Sequence, residues 1–206
     1  MPHRANVVSA HAVWRGAVPE AFESCPAISE AKPEGEERIH CMDNDRKASV
    51  NITPERPDTA DAVLLITELE AYLEPLYPRE SRHGLSVEQL LTENVAFFLL
   101  RWDGTPASCG GIKLVDAGYG EVKRMYVRQQ FRGLGLGKMM LQHLADYARA
   151  RGVGLLRLET GIHQREAIGL YERMGFRRIP PFGAYTDDPL SLFYEKHLAR
   201  AQYVHV

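Results

Sequence analysis

Between Val122 and Lys138 the chain reads V-K-R-M-Y-V-R-Q-Q-F-R-G-L-G-L-G-K, and this stretch gathers the residue types that could hold a phosphate. A half-apolar run of strand type passes into a basic segment, then into Gly133, Gly135 and Gly137 at alternate positions, then into a strongly helical segment from about Leu136. Where a strand turns over glycines into a helix N-terminus, backbone N–H groups lack an intrahelical partner and the helix dipole presents its positive end. Glycine lets an anion come close to that main chain. Arg128, Arg132 and Lys138 bracket the turn with charge of the matching sign. Two familiar phosphate loops fit badly. A P-loop needs a hydroxyl after its lysine, where this chain has Met139, and Arg132 to Gly137 has the wrong glycine spacing for a dinucleotide fingerprint.

The elements that must position this turn can be read on either side of it. Val50 and Ile52 alternate with polar residues as a short half-buried strand that Pro54 and Pro57 end. Thr59 is a plausible N-cap for a helix over about 60–76, with Leu65, Leu69, Tyr72, Leu73 and Leu76 at helical spacing and Pro78 as its stop. Ser86 opens a second short helix over about 87–92. The run A-F-F-L-L-R-W over 96–102 is a strand, and Asp103-Gly104 turns it into a partner strand over 107–115, where Gly110 and Gly111 suggest a bulge or a close approach of main chain. A third strand follows over 121–127. After the glycine turn a helix is expected over 136–151, ended by Gly152, then a strand over 155–160 parallel to the earlier one. A helix over 164–174, a strand over 176–179, a proline-rich loop over 180–189 and a last strand over 190–197 complete the order β-α-α-β-β-β-α-β-α-β-β.

Length and composition set the outer limits. A chain of 206 residues, 45% hydrophobic and 25% charged, suits one soluble α/β (α+β) domain with a tail. A formal net charge of -2 gives no global attraction to nucleic acid or anionic lipid, so a basic site must be local. Cys25, Cys41 and Cys109 form no C-x-x-C pair, which suggests neither a disulfide framework nor a zinc site and favours a cytoplasmic location. No long apolar run or secretory h-region is present. Residues 1–47 are expected to be an extension that cannot bury enough surface to order itself, or an arm packing through Trp14 and Phe22 on the domain or on the partner of a homodimer. Met42 is a candidate natural start, and the domain proper is expected over 48–206.

The residues resemble the GNAT superfamily of acetyl-CoA-dependent N-acetyltransferases. Gln130-Phe131-Arg132-Gly133-Leu134-Gly135 matches the family's Q/R-x-x-G-x-G/A signature, and A-I-G-L-Y-E-R-M-G-F over Ala167 to Phe176 looks like its A-x-x-L-Y-x-x-x-G-F. The resemblance covers roughly residues 48–198 and implies a mixed central sheet of about six to seven strands, with acetyl-CoA as cosubstrate and no metal. It carries pyrophosphate contacts onto Arg132, Gly133, Leu134, Gly135, Leu136, Gly137 and Lys138, though the Arg132 and Lys138 side chains could equally be ordinary solvated cations. It implies that the preceding strand bulges away from its parallel neighbour, so that Met125, Tyr126 and Val127 bind pantetheine and polarise the thioester carbonyl. Many members carry Asn three residues before the signature alanine; Gln164 stands there in this chain.

Transfer to an amine also needs a base and an acid. The resemblance places the base on Glu121, which could instead be a solvated strand-end carboxylate near Lys123. Glu159 is the rival, and it could equally be a buried partner for Arg124 or Arg157. Tyr171, the signature tyrosine, is the implied acid for the departing thiolate; the alternative is an aromatic that only packs its helix on the sheet. Glu121, Glu159, Asp187 and Asp188 would suit a cationic amine, whereas Lys123, Arg124 and Arg128 would hold a substrate carboxylate. The expected acceptor is a small amine or amino-acid-like molecule, with no nucleic acid or membrane partner. Acetylation of a protein lysine or N-terminus, and acetyl-CoA sensing without turnover, are the alternatives.

Overall fold

The computed structural model describes residues 48–115 and 118–199, so the expected extension over 1–47 lies outside the described residues. The strands are β1 Val50–Pro54, β2 Ala96–Trp102, β3 Thr105–Val115, β4 Tyr119–Val127, β5 Leu155–Gly161, β6 Arg177–Ile179 and β7 Ser191–His197. The helices are α1 Ala60–Leu73, α2 Val87–Thr92, α3 Leu136–Arg149 and α4 Arg165–Arg173, with single 3-10 turns at Arg79–Ser81 and Gln129–Phe131. The observed order is the expected one. One mixed sheet runs β1-β2-β3-β4-β5-β7-β6, antiparallel throughout except between β4 and β5.

Local chemistry sets the element ends. Thr59 caps α1 by accepting from the Ala62 N–H, and Ser86 with Gln89 forms a reciprocal capping box at α2. Asp103 and Gly104 both take positive φ, the conformation a two-residue hairpin with the right twist requires. Helix α1 stops at Leu73, three residues short of expectation, because the chain tightens into a turn at Leu76 and Tyr77 before Pro78.

The apolar run of β2 has no polar face because both faces of the sheet are covered. Phe97 and Leu99 pack with Ala62, Leu65, Ile66 and Leu90 of α1 and α2. Phe98 and Leu100 point the other way, into a core with Met140, Leu141 and Leu144 of α3. A Cβ at Gly110 would lie 2.9 Å from Met125 Sδ and 3.0 Å from Met140 Cγ, so glycine there brings α3 close to the sheet.

Strand β4 carries the irregularity that matters for function. While β3 advances two residues, from Cys109 to Gly111, β4 advances three, from Tyr126 to Lys123. The extra residue is accommodated at Arg124, whose φ is 53°. The bulge flips the alternation. Val122 faces the α3 core before it, whereas Met125 and Val127 face α3 after it, and Tyr126 turns toward Glu68 of α1. Pairing of β4 with β5 is confined to Gly120 and Glu121, so the two parallel strands part where the glycine turn begins.

Candidate active site

The parting of β4 from β5 opens a cleft of about 910 Å³ between the end of β4, the start of α3 and one face of α4. Arg128 N–H bonds the Ala107 carbonyl at 3.0 Å, so strand alternation turns the backbone groups of Val127 away from β3 and toward the gap. Met125, Tyr126 and Val127 all line the cleft.

Its floor is the glycine turn. Gly133 and Gly135 have φ of 83° and 79°, and a Cβ added to either would meet nothing within 4 Å, so the main chain there is bare toward open space. Gly135 is the N-cap of α3 and supplies no side-chain cap, and the helical ladder opens with Met139 N–H on the Gly135 carbonyl. The N–H groups of Leu136, Gly137 and Lys138 therefore have no helical acceptor, and the dipole of a 14-residue helix adds to them. Gly137 packs instead, with Leu170 Cδ2 3.1 Å from where its Cβ would be. This bare, positive floor in a roomy cleft fits a pyrophosphate-bearing ligand.

The basic residues around the turn divide. Arg132 and Lys138 line the cleft, with Arg132 Nε donating to the Val127 carbonyl at 3.2 Å and its guanidinium lying over the Tyr72 ring at 5.1 Å. Arg128 does not belong to the floor. It forms a two-pronged pair with Glu68, at 2.9 and 2.7 Å, and ties α1 to the end of β4. Arg165 and Arg173, two turns apart on α4, line the cleft and were not among the expected contacts; in the sequence they look like any exposed helical cations.

Beside the cleft lies a smaller cavity of about 80 Å³, walled by α1, the turn after Pro78, β4, β5 and Tyr185. Leu69, Met125, Gln164 and Tyr171 line both spaces and so form the partition between them. Tyr171, 5% exposed, is buried on the helix side, and among the described residues no group takes a hydrogen bond with its hydroxyl. Burial, reinforced by the nearby Glu159 carboxylate, pushes its phenol well above the usual value, which keeps the proton on oxygen.

The two candidate carboxylates are placed differently. Glu121 is 7% exposed and is held by Lys123 Nζ at 2.6 Å and by the Tyr185 hydroxyl at 2.7 Å; it is not part of the cavity wall. Lys123 in turn reaches the Tyr185 oxygen at 2.6 Å, closing a three-membered network. Glu159 does line the cavity, and Ser191 Oγ donates to it at 2.7 Å. Loss of solvent raises its carboxyl above the ordinary range, against the opposing Ser191 hydrogen bond and the His83 and Lys123 charges. Neither Arg124 nor Arg157 pairs with it. Arg124 is bound to Glu70 and the Leu85 carbonyl, and Arg157 to Glu195.

Residues 64–176 match the family described as the acetyltransferase (GNAT) family. An IAA acetyltransferase of Azospirillum brasilense is 45% identical over 151 residues, covering 73% of this chain and 99% of that protein. A crystal structure described as an acyl-CoA N-acyltransferase, from Klebsiella pneumoniae, shares 39% identity at a TM-score of 0.63, covering 73% of this chain and 98% of that one. A GNAT family acetyltransferase of Elizabethkingia anophelis, solved with acetyl-CoA bound, superposes with a TM-score of 0.55 at 18% identity, over 72% of this chain and 98% of the other.

Proposed function

This chain belongs to the acetyltransferase (GNAT) family, and from that premise we propose that it moves the acetyl group of acetyl-CoA to the primary amine of a small molecule by direct attack in a ternary complex. The observation that carries this reading is the shared wall: an anion-holding cleft and a small acceptor cavity meet across Leu69, Met125, Gln164 and Tyr171. The working domain is residues 48–206, consistent with described elements from Val50 to His197, and residues 1–47 are an extension to it.

Bound in the cleft, acetyl-CoA supplies a thioester carbonyl. The amine nitrogen bonds to the acetyl carbon as the carbon–sulfur bond breaks, giving an amide and a thiol. The uncapped N–H groups of Leu136, Gly137 and Lys138, with Arg132, hold the pyrophosphate, and Gly133 and Gly135 let it reach the main chain. The freed backbone of Val127, with Met125 and Tyr126, holds the pantetheine arm and the carbonyl oxygen, where a fixed N–H donor contributes up to ~3 kcal/mol. Gln164 orients the arm from the start of α4.

Glu159 is the better base. It faces the cavity, and its raised carboxyl suits proton removal near neutral pH, whereas the Glu121 carboxylate is already held by Lys123 and Tyr185. Tyr171 stays protonated and donates to the departing sulfur; because its phenol is pushed upward, the hydrogen bond is its main contribution and full proton transfer lags behind.

The test is a thiol-release assay on a panel of small primary amines, with Tyr171→Phe alongside. The expected result is turnover of some amines and a loss of about 10²–10⁴-fold in kcat in the variant, at acetyl-CoA affinity within a few-fold of the parent. Full acetyl-CoA binding with no turnover on any amine would leave a sensor and overturn the enzyme reading.

A further inference from the structure

The three buried side-chain atoms without a hydrogen-bond partner among the described residues are Arg82 Nε, His83 Nε2 and His143 Nε2. His143 stacks edge-on against Phe98 in the α3 core at 4.6 Å, away from either cavity. The other two are consecutive in sequence, and both residues line the acceptor cavity. Both orphan atoms are themselves closed off from solvent, so what Arg82 presents to the cavity is the rest of its side chain, which is 22% exposed.

The chemistry of a fitting partner follows from the donors. A guanidinium can only donate, so the terminal nitrogens of Arg82 require acceptors. Its Nη1 lies 3.7 Å from Glu70 Oε2, beyond hydrogen-bond range, while the other Glu70 oxygen is taken by Arg124. His83 Nε2 lies 3.4 Å from Asp188 Oδ2, an ion pair when the ring is protonated, and so is answered by that carboxylate. The remaining cations in the wall are matched: Lys123 by Glu121 and Tyr185, Arg124 by Glu70 and the Leu85 carbonyl. Arg82 is thus the guanidinium whose charge is only loosely answered within the cavity. The same cavity carries Glu159, a proton acceptor for an amine.

Building on the acetyltransferase reading, we propose that the acceptor is a compact amino acid, its amine presented to Glu159 and its carboxylate seated on the terminal nitrogens of the Arg82 guanidinium, with His83 beside them in the wall. A planar, fixed fork of donors is the side chain best matched to a carboxylate. The cavity, about 80 Å³, restricts the rest of the molecule to a short side chain. In the reaction the carboxylate only positions; the bonds made and broken are those of amide formation and thiol release.

The test compares free amino acids with their carboxamides and with the corresponding decarboxylated amines in the thiol-release assay. The expected result is that kcat/KM favours the free amino acids at least tenfold. Arg82→Gln should raise KM for the preferred amino acid about tenfold or more while leaving its kcat, and the kcat/KM of the carboxamide, within a few-fold. His83→Asn should raise the same KM by less. Arg82 has only the 3.7 Å contact with Glu70 to lose, and neither Arg82 nor His83 lines the cleft, so both variants should fold with unchanged acetyl-CoA affinity.

A binding arm separates this proposal from the enzyme reading. Calorimetry of N-acetylalanine and N-acetylglycine against the CoA-saturated protein should show binding that Arg82→Gln abolishes. If that holds with no amine turned over, the carboxylate seat stands and the enzyme reading falls. If carboxamides and decarboxylated amines are acetylated as well as the amino acids, or Arg82→Gln leaves KM unchanged, the carboxylate seat is overturned while catalysis stands.

Discussion

The floor of the cleft proposed for the cofactor is main chain, contributed by one continuous stretch from Met125 to Lys138, with the side chains of α4 as its far wall. The cavity beside it, proposed for the acceptor, is walled by side chains brought from α1, the turn after Pro78, β4, β5 and the loop holding Tyr185. Backbone N–H groups at a helix start are fixed by the helix itself, so the cleft floor depends on few neighbours. The cavity depends on many: Tyr185 needs Glu121 and Lys123, Arg124 needs Glu70, and Glu159 needs Ser191. A substitution in the floor should therefore act on cofactor affinity alone, whereas one in the cavity should act on the acceptor and on stability together.

The largest effect is expected at Gly135. A glutamate there would put a negative charge over the uncapped N–H groups of α3 and force a side chain onto a φ of 79°. Acetyl-CoA affinity should fall by about a hundredfold or more, with Gly135→Gln falling less because it shares the backbone strain but not the charge. Calorimetry at two salt concentrations checks it: the gap between the two variants should narrow as screening rises. Equal affinities for Glu and Gln would show that the floor is not held together by electrostatics.

Glu159→Gln tests the cavity side and should lower kcat/KM at neutral pH by about a hundredfold. As the proposed base, Glu159 works ionised, and its carboxyl is raised above the ordinary range. Activity of the parent should thus fall as the pH drops through a midpoint above the usual carboxylate value of about 4.3, and this limb should vanish in the variant. Stability runs the other way. A carboxyl raised in the folded state binds its proton more tightly there than when unfolded. Below the unfolded value both states are protonated and the group is neutral in its effect; as the pH rises through the raised folded-state value, ionisation in the cavity costs stability. Glu159→Gln should consequently melt higher than the parent near pH 7, with the difference closing toward pH 4. His83, Lys123 and Asp188 face the same carboxyl, and a His83→Gln background controls for the histidine. No gain in melting temperature would mean that the carboxylate is better solvated than its position implies.

Legibility in the sequence follows the same division. The glycine turn and the element order could be read because each rests on short-range chemistry: alternate glycines before a helix, a capping threonine, an Asp-Gly hairpin; the mixed sheet of about six to seven strands was implied by the family resemblance. The strand bulge was implied by the family resemblance, yet its residue, Arg124, has no local mark, since arginine rarely takes a positive φ and the extra residue shows only in the pairing of β4 with β3. The insertion of β7 between β5 and β6 is likewise a long-range pairing with nothing local to announce it. Among the carboxylates, Glu121 and Glu159 are alike in sequence, and only the positions of Lys123, Tyr185 and Ser191 distinguish them. Arg82 and His83 carry no mark in the sequence, because an unpaired buried donor is defined by what it does not touch.

The smallest predicted effect makes the sharpest discrimination between the two regions. A Cβ at Gly161 would fall on the Tyr77 ring, whose hydroxyl accepts the His163 N–H at 2.7 Å and which walls the acceptor cavity but not the cleft. Gly161→Ala should cost about 1–3 kcal/mol by overpacking, a fall in melting temperature of roughly 2–10 °C for a domain of this size. Displacing Tyr77 should raise the acceptor KM several-fold and leave acetyl-CoA affinity where it was. Tyr77→Leu added to Gly161→Ala should recover part of the lost stability by making room. If acetyl-CoA affinity falls in step with acceptor binding, strain passes through the Met125, Gln164 and Tyr171 wall, and cleft and cavity form one mechanical unit.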